Sequence, residues 1–138
     1  MVKLWTPLIL ALIMGGTYLS GGKWLVHEVA GLTTIVLFIL HMVHKRMWWS
    51  SLFKGIYNQK RKIMVISNLL FFFFLLATII TGLAGGGFIV NFKPYWGEYY
   101  RLIHHTHTIL AHTTLAFFLL HLLLRLAYFK GFYKKVRS

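Results

Sequence analysis

The chain has 138 residues, of which 58% are hydrophobic and 12% charged, against about 25% charged in a soluble domain. Fifteen Lys and Arg face two acids, Glu28 and Glu98, for a net charge of +13, and cysteine is absent. Without cysteine there are no disulfides, thiolate-held iron–sulfur clusters, thiol nucleophiles or Cys-x-x-Cys-His haem attachment, and two acids leave little for paired-carboxylate catalysis.

The apolar residues gather into four long runs, each near the ~20 residues that cross a hydrocarbon core as a helix. One domain is expected over residues 1–138: an all-α membrane protein built as a four-transmembrane-helix bundle. The first run is Leu4 to Ser20. Lys3 before it would also suit a signal peptide, but no small-x-small cleavage pattern precedes Gly21, so a retained span is expected. The second run is Trp24 to Val43, the third Ile63 to Ala84 and the fourth Ile103 to Tyr128. Uninterrupted stretches such as Leu69 to Leu76 lack the alternation of a barrel strand, which leaves helices as the structure that satisfies the backbone in lipid.

Basic residues concentrate in two places. Lys45, Arg46, Lys54, Lys60, Arg61 and Lys62 join runs two and three, and Lys130, Lys134, Lys135 and Arg137 follow run four. The opposite side carries only Lys23, Lys93 and Arg101, so the positive-inside bias puts both termini in the cytoplasm. This distribution follows membrane topology and offers no soluble basic face, so no nucleic-acid partner is expected. Trp24, Tyr95, Trp96, Tyr99 and Tyr100 form an expected outer aromatic belt, and Trp48 and Trp49 an inner one. The outer connection 85–102, glycine-rich and then aromatic, is expected to lie along the interface.

Eight histidines hold most of the remaining chemistry. His27 and His41 are fourteen residues apart in run two, as are His107 and His121 in run four. Fourteen helical steps fall about 40° short of four turns and advance ~21 Å, so each pair shares a face. Runs two and four point the same way, so His27 can face His107 and His41 can face His121. Each facing pair would supply two axial imidazoles to one iron, making these four residues the expected metal ligands of two b-type haems. A shift of eighty positions superposes both histidines, and with them Thr33 on Thr113, Thr34 on Thr114, Phe38 on Phe118 and Leu40 on Leu120. This is an internal two-helix repeat.

Gly31 and Ala111, four residues after the outer histidines, are small enough to admit a flat macrocycle. Gly15 with Gly16, and Gly82 with Gly86, fit either haem contact or small-residue helix packing. Arg101 and Lys23 are candidate propionate partners for the outer haem, and Lys45, Arg46 and Arg125 for the inner one. Glu28 beside His27 is a candidate proton acceptor from a quinol, or a complement to the helix dipole. His44 reads as interfacial. His104, His105 and His107 could bind zinc or copper at the surface, a rival reading that lacks any cysteine or acidic partner. Pairing His104 with His121 and His27 with His44 fails, because seventeen steps fall about 100° short of five turns.

The segment His27-Glu28-Val29-Ala30-Gly31 through Phe38-Ile39-Leu40-His41, then Phe53-Lys54-Gly55, resembles the flavinylation-associated cytochrome family. In the second half, Trp96 before the histidine cluster with His107 and His121 fits as well. The helix plan is also similar to the haem core of cytochrome b in quinol–cytochrome c oxidoreductases, although the later helices and the quinol-oxidation loop are missing here. The resemblance implies electron transfer across a membrane, expected to be a bacterial or archaeal cytoplasmic one, often toward extracytosolic flavin-carrying proteins. Because both haems would be coordinatively saturated, an oxidoreductase subunit and not a stand-alone enzyme is expected. The expected electron path runs between a quinone pool or cytoplasmic donor and an extracytosolic partner, a flavoprotein or cytochrome. The alternatives are a haem-free membrane anchor and a surface metal reductase or transporter.

Overall fold

A computed structural model describes the backbone of residues 2–20, 24–52, 54–55, 57–87, 89 and 93–136, with the side chains of 2–8, 24, 93 and 127–136 left out. Lys23 and Phe53 therefore lie outside the described residues, as does Arg137, and so do the side chains of Trp24, Lys93, Tyr128, Lys130, Lys134 and Lys135. Six helices follow one another, and no strand occurs among the described residues: α1 (Val2–Leu19), α2 (Trp24–His44), α3 (Arg46–Ser51), α4 (Gln59–Ala84), α5 (Lys93–Trp96) and α6 (Tyr99–Val136).

Three stretches, Leu25–His44, Gln59–Ala84 and Tyr99–Leu126, are long and apolar enough to cross a membrane, as in a multi-pass membrane protein. The described apolar stretch of α1 is shorter, Ile9–Leu19. Side-chain placement agrees with lipid as the solvent. Leu12, Phe73 and Leu123 are 74%, 64% and 64% exposed, whereas Thr34, Ser67 and Thr114 are at most 6% exposed. Water would expel the first set and solvate the second; hydrocarbon does the reverse.

The helices outrun the apolar stretches at several ends. Asn58 caps α4, its Oδ1 accepting the Arg61 backbone N–H at 2.8 Å, so the helix begins four residues before Ile63. Lys60, Arg61 and Lys62 are ordinary helix formers whose charge hides that first turn from a hydropathy reading. At the other end α4 stops in the run 85–87, where Gly85 N–H reaches the Thr81 carbonyl at 2.9 Å. Within the connection 85–102, α5 ends at Gly97, whose φ of +48° suits glycine and turns the chain into α6. Helix α3 continues α2 after Lys45, carrying Trp48 and Trp49 edge to face at 5.1 Å.

Two compact units can be separated: Met1–Gly55 with Ile79–His107, and Ile56–Thr78 with Thr108–Ser138. In the first, α1 packs on α2 through Thr17 and Thr34, whose hydroxyls lie 3.2 Å apart. Each also donates to a carbonyl four residues back, Ile13 and Ala30 respectively. In the second, α4 packs on α6 through Thr78 and Thr114 at 2.7 Å, while Thr78 donates to the Phe74 carbonyl at 2.8 Å. Thr34 and Thr114, equivalent under the eighty-residue shift, thus occupy the same kind of place: a buried hydroxyl meeting a threonine on a neighbouring helix. Below Thr78 the second unit is aromatic, with Phe74 stacked on Phe117 at 5.1 Å and Phe71 near Phe118 at 5.9 Å.

Candidate functional site

His27 projects from α2 and His107 from α6, and their imidazoles meet with centroids 6.0 Å apart and planes at 79°. Both are half-buried and both belong to the first unit. The Nδ1–H of His27 donates to the Thr17 backbone carbonyl at 2.8 Å. A carbonyl can only accept, so the proton sits on Nδ1, and in the neutral ring Nε2 carries the lone pair a metal requires. Thr17 stands in the last turn of α1, and Ser20 Oγ donates to the same oxygen at 2.9 Å.

His107 is seated against α4. Its Nδ1 lies 3.3 Å from Thr81 Oγ1. A Cβ added at Gly82 would come within 2.9 Å of His107 Cε1 and 3.3 Å of Nδ1. Gly82 therefore makes the hollow that the imidazole fills. Gly31 faces α1, with a Cβ there 4.0 Å from Thr17 Cγ2, and the space around Gly15 is open. Ala111 is half-buried in the second unit. Arg101 is exposed and Arg125 half-buried.

His121 lies in the second unit, where its Nδ1 meets Asn68 Oδ1 at 2.8 Å and its ring stacks on Phe71 at 5.5 Å and 28°. His41 is half-buried in the first unit. Ser67, beside Asn68, is 4% exposed and its Oγ has no hydrogen-bond partner among the described residues. Asn68 and Ser67 escaped the sequence reading because they sit inside an apolar run. The available signal was their polarity itself, since polar side chains at membrane depth default to a functional or packing role.

The other histidines are placed differently. His112 is exposed, its Nδ1 donating to the Thr108 carbonyl of its own helix at 2.7 Å. His44 and His105 are exposed, and so is His104, whose ring lies 6.4 Å from that of Tyr100. Glu28 accepts the backbone N–H of Ile89 at 2.9 Å and so ties the connection after α4 to α2. Among the described residues no group of three or more His, Asp or Glu side chains could hold a metal ion, and the surface zinc or copper reading has no such cluster to rest on.

A bis-imidazole haem asks for less, because the porphyrin supplies four of the six donors. The protein would have to supply only two imidazoles, and His27 and His107 bring two rings to within 6.0 Å of each other. The Nδ1 proton of His27, which leaves Nε2 free as a ligand, and the seating of His107 in the hollow at Gly82 fit such a group. No family model, curated protein or solved structure matches the chain.

Proposed function

We propose that the chain is a membrane electron-transfer subunit holding two b-type haems, one on His27 and His107 and one on His41 and His121. The observation that carries the reading is the His27–His107 pair, 6.0 Å apart on two helices, with the Nδ1 proton of His27 already committed to a carbonyl. The second pair rests on the fourteen-residue spacing. A haem held this way supplies a one-electron iron couple. Two histidines given to each iron would leave no position for substrate, and the chain would serve as a conduit in a larger oxidoreductase. Gly82 and Thr81 hold His107, and Thr17 holds His27.

In this reading α1 is a fourth span, both termini are cytoplasmic by the placement of basic residues, and lipid covers the exposed leucines and phenylalanines. Electrons pass between a quinone pool or cytoplasmic donor and an extracytosolic flavoprotein or cytochrome. Arg101 and Arg125 are the cations assigned to propionates. The test is a reduced-minus-oxidised spectrum with a haem-to-protein ratio on the purified chain. Two haems per chain, falling to one in His107→Ala, is the expected result. A chain that takes up no haem from a haem-replete membrane is instead an anchor, and the reading fails.

A further inference from the structure

Three histidines of the four differ in what their Nδ1 meets. For His27 it is a backbone carbonyl, for His107 a hydroxyl at 3.3 Å, and for His121 the side-chain amide of Asn68 at 2.8 Å. Asn68 is the one amide side chain in the apolar run from Ile63 to Ala84. Phe71, one turn further along α4, lies over the His121 ring, and Phe118 lies against Phe71. The hydrogen bond fixes the imidazole in its own plane, and the phenyl face blocks rotation out of it. In apolar surroundings water does not compete for such a bond, so its influence on the ring is larger than at a surface.

We propose that Asn68 is a positioning residue that sets the tautomer and basicity of His121, and so makes the second haem electronically distinct from the first. The inference rests on the haem reading above. An Nδ1–H donated to a good acceptor pushes electron density toward Nε2, and a more basic ligand favours the oxidised metal. A stronger acceptor at position 68 lowers the potential of that site, and an apolar side chain raises it. The bond has a second orientation, the amide NH2 donating to Nδ1. That arrangement would put the ring proton on Nε2 and bar it as a ligand.

The experiment compares the haem-loaded full-length chain with Asn68→Asp, Asn68→Thr and Asn68→Leu by redox titration. With two resolved potentials, one falls in Asn68→Asp and rises in Asn68→Leu, Asn68→Thr lies between, and the other potential stays in place. Unmoved potentials with both haems bound, or two potentials moving together, overturn the proposal. In parallel, ¹⁵N NMR of the haem-free chain reads the His121 tautomer directly. An Nδ1–H ring that loses this preference in Asn68→Leu supports the proposal, and an Nε2–H ring in the unaltered chain overturns it. A chain that never binds haem sinks the electron-transfer reading, while the NMR comparison still decides what Asn68 does to His121.

Discussion

Replacing Gly82 by alanine puts a methyl group into the hollow where His107 lies. The new carbon would stand 2.9 Å from His107 Cε1. Ordinary carbon contact begins near ~3.5 Å, so the ring must retreat by about 0.6 Å. It is not free to do so cheaply, since Thr81 lies at 3.3 Å from its Nδ1 and His27 faces it. Overpacking of this kind costs about 1–3 kcal/mol, while removing a glycine from a helix returns up to about 1 kcal/mol. The chain should therefore lose about 0–3 kcal/mol of stability. If the proposed haem reading holds, affinity at the His27–His107 pair gains nothing from helix propensity and should fall about 5- to 150-fold, at tenfold per 1.4 kcal/mol. The assay is haem titration followed by difference spectroscopy, with thermal unfolding in the same detergent. Gly15→Ala is the control: nothing lies within 4 Å of its added carbon, so it should be neutral or slightly stabilising. If Gly82→Ala keeps both haems at unaltered affinity and the stability of the parent, His107 is not seated against α4 as described.

Three further outcomes follow from the packing. Thr78→Val and Thr114→Val, measured singly and together, should show a coupling of about 0.6 kcal/mol and at most about 1.7 kcal/mol, the range for hydrogen bonds between membrane helices; strict additivity in reversible unfolding would remove the 2.7 Å bond from the account. Ser67→Ala should stabilise the haem-free chain by about 1 kcal/mol, because it deletes a buried hydroxyl that has no hydrogen-bond partner among the described residues; destabilisation by a similar amount would contradict this. Glu28→Ala should raise hydrogen exchange at the Ile89 amide, and Glu28→Gln, which keeps an acceptor oxygen, should largely preserve protection; equal exchange in both variants would mean the carboxylate does not hold that segment.

The elements were legible where one physical signal dominated. Long apolar runs located the cores of α2, α4 and α6, and the eighty-residue shift paired Thr34 with Thr114, which prove to be two of the buried polar residues. Helix ends were less legible, because hydropathy marks where lipid begins and the backbone does not stop there. Asn58 is a readable cap that the basic residues after it obscured. Short helices such as α3 and α5 carry too few residues for periodicity to show. At the site, spacing along a helix nominated histidines but was silent on their neighbours. Thr17, Thr81 and Asn68 meet the rings from other helices, and nothing in linear distance says which turn of α1 or α4 will lie opposite. Gly82 was noticed for its size, and only the folded contact shows that a ring of this same chain fills the hollow.

One oxygen atom near the end of α1 has an influence on how the chain is made. The Thr17 carbonyl closes its own helix terminus and also holds the His27 proton. Both halves of that bond lie within the first 27 residues, so the α1–α2 hairpin can prepare one imidazole while α6 is still unsynthesised. Nascent chains arrested after α2 should already show the His27 ring protonated on Nδ1. On the proposed reading, one half of the site would then wait, chemically ready, for an imidazole that emerges about eighty residues later.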